Sequence, residues 1–114
     1  MARSTQQVFN DHMDALARGD MPALMADYAD DAVMLTIDQA YVGKAAIQGF
    51  FAATFAAMPH AKLTGTGLQV QGDYLLVSWT GDSDTVTVPN GNDTFYIHGD
   101  KIHMQSVWFT LLPK

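Results

Sequence analysis

Apolar residues recur at helical spacing in the first half of the chain and at period two in the second, and the switch between the two sets the architecture. Ser4-Thr5-Gln6-Gln7 reads as a capping box, with a serine at the N-cap and a glutamine three residues on. Val8, Phe9, His12, Met13 and Leu16 follow on one helical face, and Gly19 stops the helix. Asp20 caps a second short helix with Pro22 in its first turn and Leu24, Met25 and Tyr28 on its apolar side. Ala32 to Ile37 is a short run of β-formers and predicts a first strand. Gly43 opens a third helix from Lys44 to about Met58, ended by Pro59, whose Ile47, Phe50, Phe51, Phe55 and Met58 demand a large apolar partner.

After Pro59 the period becomes two. Strands are predicted at Lys62 to Gln71, Tyr74 to Gly81, Thr85 to Val88, Asp93 to His98 and Lys101 to Leu112. Gly72-Asp73, Asn90-Gly91 and Gly99-Asp100 read as the turns between them. Helices first and a meander afterwards predict an α+β fold with an antiparallel sheet, one domain over residues 1–114.

Composition narrows the partners. The chain is 48% hydrophobic and 16% charged, as globular domains are. Its net charge is −6, and its six cationic side chains, Arg3, Arg18, Lys44, Lys62, Lys101 and Lys114, form no basic stripe for a nucleic acid. With no arginine fork in view, a small, neutral, apolar ligand is expected. There is no cysteine, no membrane-length apolar run and no signal-peptide pattern, so a cytoplasmic protein without disulfides or thiolate chemistry is expected. The four histidines show no metal-ligand spacing, and neither metal nor cofactor is expected. His60, after a proline, and His98, at a turn, read as solvated. Ser78 lacks the glycine frame of a nucleophile elbow.

Three stretches, ARGDMPALMADYADDAV (17–33), YVGKAAIQGFF (41–51) and DTFYIHGDKIHMQSVWFTL (93–111), occur in an order that resembles the SnoaL-like and ketosteroid-isomerase-like superfamily, whose cone-shaped fold also occurs in nuclear transport factor 2. The resemblance implies a curved sheet wrapped around the N-terminal helices, an internal pocket, and dimerisation through the opposite sheet face. It does not choose among isomerases, cyclases, dehydratases, epoxide hydrolases and binding modules.

In ketosteroid isomerases a tyrosine, a base aspartate and a protonated aspartate do the work. The resemblance places His12 at the tyrosine position and Thr36 at the base position. Asp38, two residues on, either replaces the base or sits in a loop. The third position falls on Asp93 if the turn after His98 has three residues and on Asn92 if it has two, because a one-residue slip reverses every face. The match of the Asp93 to Ile97 run to SnoaL-like sequences favours Asp93, and then Phe95, Ile97, Gln105, Val107 and Phe109 share its face. Gln105 stands where cyclases often carry a histidine, and no arginine is placed as epoxide hydrolysis requires. A His12–Asp93 dyad is the sharp reading, with the carboxylate raising the imidazole pKa. A buried histidine satisfied by one hydrogen bond is the plain one. Tyr28, Phe51 and Phe109 read as core that also lines the pocket, and Trp79 and Trp108 as faces toward a partner subunit. The function expected is cofactor-free acid–base catalysis of isomerase, dehydratase or cyclase type: His12, Asp93 and Asp38 as catalytic candidates, and Tyr28, Thr36, Phe51, Phe95, Gln105 and Phe109 as substrate contacts. The alternative is a non-catalytic binding or dimerisation module.

Overall fold

The computed structural model describes residues 2–114. Helix α1 (Thr5–Arg18) starts at the capping box: Gln7 N donates to Ser4 Oγ, the Gln7 side chain accepts from Ser4 N, and left-handed Gly19 closes the far end. Helix α2 (Met21–Ala26) is capped by Asp20, whose carboxylate accepts from Ala23 N. Strands β1 (Tyr28–Leu35) and β2 (Ala40–Val42) precede α3 (Lys44–Ala57). Then follow β3 (Lys62–Gln71), β4 (Tyr74–Asp82), β5 (Val86–His98), β6 (Lys101–Phe109) and β7 (Leu112–Pro113).

The seven strands form one curved, unclosed sheet in the order β2-β1-β6-β5-β4-β3, with β7 on β5. All pairings are antiparallel except β1 with β6, so the sheet is mixed. The parallel pair arises because β1 is laid down before α3, and the meander returns beside it only at its last long strand.

Several boundaries differ from the sequence reading: the first strand spans Tyr28–Leu35 and not 32–37, a short strand forms at Ala40–Val42 where none is expected, and the last long strand ends at Phe109. Tyr28 begins β1 and does not belong to α2, since Asp27 already closes that helix. Asn90-Gly91 is no turn either: β5 runs unbroken from Val86 to His98. Gly91 is there for space, because a Cβ would lie 2.7 Å from Trp79 Nε1.

The β5–β6 hairpin decides what faces inward. Its turn has two residues, Gly99 (φ 56°) and Asp100 (φ 75°), with His98 paired to Lys101. Both positive φ values are those of a type I′ turn. Two residues alone would have turned Asn92 inward, but His103 is an extra residue between Tyr96↔Met104 and Ile97↔Ile102. That bulge restores the parity, pairing Phe95 with Gln105 and Asp93 with Val107. Their concave face packs against Val8, Phe9 and His12 of α1 and Ile47 and Phe51 of α3, all buried.

Candidate functional site

The helices do not fill the concavity. Between α1, α3 and strands β3 to β6 lies a cavity of about 1150 Å³, open at one side. Phe50, Phe51, Phe55, Phe95 and Phe109 supply its apolar wall, and His12, Asp93, Gln105 and Trp79 supply its polar groups. The aromatic surplus of α3 is thereby explained. Only Ile47 and Phe51 of that helix are buried, and Phe50 and Phe55, partly buried against the core, also line the cavity.

Asp93 is the centre of the polar network. Trp79 Nε1 donates to its Oδ1 at 3.0 Å, and Gln105 Nε2 donates to its Oδ2 at 3.0 Å. Behind Gln105, the buried Tyr28 hydroxyl donates to Gln105 Oε1, which fixes the amide so that its NH2 faces the carboxylate. Burial raises the Asp93 pKa to about 6, against the two donors, which pull it down. Burial also pushes the Tyr28 phenol well above its ordinary value, helped by the charge of Asp93, so Tyr28 stays a donor.

His12 is 1% exposed and boxed by aromatic rings, with Phe95 at 5.2 Å, Tyr28 at 5.9 Å and Phe51 at 6.2 Å between centroids. Its Nδ1 has no hydrogen-bond partner. Burial lowers its pKa to about 4, opposite to what a carboxylate neighbour would do, so the imidazole is neutral at pH 7. The His12–Asp93 hydrogen bond is not formed; the side-chain donors to the acid are Trp79 and Gln105. Nor does one hydrogen bond to Nδ1 satisfy the ring.

Thr36 and Asp38 are outside the cavity. β1 ends at Leu35, and the chain turns back at once: Thr36 N donates to Gln39 O (2.9 Å) and Gln39 N to Thr36 Oγ1 (3.1 Å). Thr36 is used up as a turn former, and Asp38 is exposed at the turn. Phe51, Phe95, Gln105 and Phe109 line the cavity, while Tyr28 stands one layer behind Gln105. Trp79 is the polar group that sequence reasoning put on the wrong face. Its parity with buried Leu75 and Val77 on β4 was the available signal. Trp108, by contrast, is on the outer face and 45% exposed. His98 and His60 are exposed and pair with Asp73 and Asp84. His60 also lines the cavity mouth, which the sequence reading did not anticipate.

A profile of the SnoaL-like domain matches residues 9–104. The chain belongs to this family. No curated protein sequence matches the chain significantly, but solved structures do. A proposed polyketide cyclase from Sinorhizobium meliloti is 23% identical with a TM-score of 0.78, over 89% of this chain and 93% of that one. A proposed ketosteroid isomerase from Kribbella flavida is 16% identical, TM-score 0.79, over 93% and 77%. SalBIII, an epoxide hydrolase/cyclase-like enzyme with a role in pyran ring formation in salinomycin, is 16% identical, TM-score 0.83, over 96% and 95%. At these identities the likeness is one of fold. The SnoaL-like domain is a scaffold on which pocket enzymes of isomerase and cyclase type occur. Among the described residues no helix is long and apolar enough to cross a membrane, and no three His, Asp or Glu side chains are grouped to hold a metal ion.

Proposed function

We propose that this SnoaL-like domain is a cofactor-free acid–base enzyme for a small, largely apolar carbonyl compound, with isomerisation, dehydration or cyclisation as the net reaction. The observation that carries it is Asp93: a carboxylate in an apolar cavity, with a pKa raised to about 6 and both oxygens positioned by side-chain donors. At pH 7 such a group is mostly ionised and still basic enough to take a proton from carbon next to a carbonyl, and its conjugate acid can return that proton elsewhere. Each carboxylate oxygen accepts one protein hydrogen bond and keeps a lone pair for the substrate. Neutral His12 supplies a ring nitrogen and no charge. A neutral imidazole N–H can donate to the oxyanion of a forming enolate, a kind of stabilisation worth about 2.7–4 kcal/mol where it has been measured. Tyr28 positions Gln105 and does not touch substrate.

The test is solvent deuterium exchange, because it detects proton abstraction whatever the product. Incubated in D2O with a panel of small ketones, lactones, phenols and steroids, the protein is expected to accelerate exchange α to the carbonyl in at least one class, with a rate that rises through about pH 6 as Asp93 ionises. Ligands that shift the Trp79 indole N–H resonance yet exchange no proton would instead establish a binding module.

We also propose a homodimer formed through the outer sheet face, where Leu35, Val42, Tyr74, Leu76 and Trp108 are exposed large apolar side chains. Several large apolar side chains exposed on one sheet face mark an interaction surface. Sedimentation of the wild type should report twice the chain mass, and Leu76→Asp should return it to one. A wild-type monomer at micromolar concentration would refute the dimer.

A further inference from the structure

The cavity is polarised from its floor to its rim. Among the described residues two carboxylates line it. Asp93 lies on the concave sheet face, and Asp14 at the mouth is taken up by Arg18 at 3.0 Å. The cations are all at the mouth. Arg18 is held a second time by Asp20 at 2.8 Å. His60 is presented by a left-handed backbone (φ 57°), rare for a residue with a Cβ. Two bonds brace that segment: Asp84 N to Pro59 O (3.1 Å) and Thr85 Oγ1 to Ala57 O (3.0 Å). Asp84 accepts from His60 Nδ1, and the same contact raises the His60 pKa. That arrangement fixes the ring with Nε2 left free at the rim, an N–H donor when the imidazole is protonated.

Lys62, two residues on, is the third. In a chain of net charge −6, Arg3, Arg18, Lys44 and Lys114 each bond a carboxylate, and Lys101 Nζ donates to Ala26 O at 2.6 Å. Among the described residues Lys62 alone of the six has no such partner. Its ladder neighbour Asp82 is claimed by Lys114 at 2.9 Å. An acidic protein thus leaves Lys62, an ammonium unpaired among the described residues, at the lining of its large cavity, two residues from His60.

We propose that the compound taken up is an apolar carboxylic acid, its carboxylate bound at the rim by Lys62 Nζ and the imidazolium Nε2–H of His60, and its apolar body lying against Phe50, Phe55 and Phe109. The proposal rests on the reading of the cavity as a binding site and departs from the neutral ligand that the scarcity of arginine suggests: a lysine with a histidine needs no guanidinium fork. It also settles which way the ligand enters. The Asp93 charge repels the acid end from the interior, so the other end is delivered to the network of Asp93, Gln105 and His12.

The test pairs 2-naphthylacetic acid with its methyl ester, of nearly equal apolar bulk, in calorimetric titrations at pH 6, where an imidazole with a raised pKa is protonated, and at low salt. The acid is expected to bind about tenfold tighter. Lys62→Ala and His60→Asn, both at exposed positions and the second suited to the left-handed backbone, should each remove most of that preference while leaving the ester unchanged. Equal binding of acid and ester overturns the acid-binding rim and leaves the cavity reading intact. A preference that survives in the double variant overturns the assignment to these two residues. Binding of neither probe overturns the cavity reading and this proposal with it.

Discussion

Asp93→Asn is expected to abolish proton exchange and, above pH 6, to make the protein more stable. The activity side follows from chemistry: an amide cannot accept a proton, and loss of a positioned base lowers rates by about 10²–10⁴-fold. The stability side follows from the raised pKa. Folding into a site where the carboxyl titrates near 6, against its ordinary 3.8, favours the protonated form. The native state therefore loses stability as pH rises between those values and stays penalised above them, by about 3 kcal/mol in full. Asparagine removes that penalty. It has one acceptor oxygen where the carboxylate has two, and Trp79 and Gln105 both donate. Gln105 must then turn its amide, accepting from the new NH2 and donating to the Tyr28 oxygen, which can equally accept. A net gain of about 1–2 kcal/mol at pH 8 remains; near pH 4 the folded aspartate is protonated and the ionisation penalty is nearly gone while the hydrogen-bond cost persists, so the variant is there about 1–2 kcal/mol less stable than wild type. Denaturant unfolding at the two pH values reads this directly. If the variant keeps exchange within tenfold of wild type, Asp93 is not the base. If it is destabilised equally at both pH values, the carboxylate serves the fold.

Much of this site is legible in the sequence, but unevenly. The capping box, Gly19 and the aromatic face of α3 announce the helices because local chemistry alone specifies them. Asp93 is legible through its resemblance to related sequences, while the reason it faces inward is not. A two-residue turn and the His103 bulge each shift the register by one, and neither the bulge nor its position has a marker in the residues. Thr36 and Asp38 mislead because a strand's end is set by where the next pairing partner lies, and β2 takes hold sooner than the apolar run suggests. Trp79 misleads for another reason. Large aromatics suit both a core and an interface, and only the parity of β4 against its partners separates the two. His60 is illegible altogether: its place on the rim depends on Asp84, 24 residues away. Its left-handed backbone is one for which glycine or asparagine is the usual sign.

The same network makes the dependence of stability on pH informative, since two of its groups oppose one another. His12 is pushed down to about 4 from 6.5. As pH falls from 6.5 toward 4 the unfolded chain takes up a proton that the folded chain refuses, and stability drops by about 3 kcal/mol. Asp93, pushed up to about 6, does the reverse. Between pH 6 and 4 the folded chain takes up a proton first, and stability rises by a similar amount. Wild-type stability is therefore expected to be nearly flat across this window, a flatness made of two steep and opposite slopes. Single replacements should expose them. His12→Phe keeps a flat ring among Phe9, Tyr28, Phe51 and Phe95 and discards both ring nitrogens, of which the buried Nδ1 has no partner. It should gain about 3 kcal/mol on going from pH 7 to pH 4, while Asp93→Asn should lose about as much, and the double variant should be flat again. His60, raised by Asp84, adds stability that is lost as pH climbs through its folded value, but it is exposed and the effect is small. Asp20 and Asp100, lowered by backbone and arginine donors, lose their contribution only below about pH 4. Unfolding curves of the four proteins from pH 4 to pH 8 test the pair together. Parallel profiles for wild type and His12→Phe would show that the ring is solvated and charged, and neutral His12 would then leave the proposed mechanism.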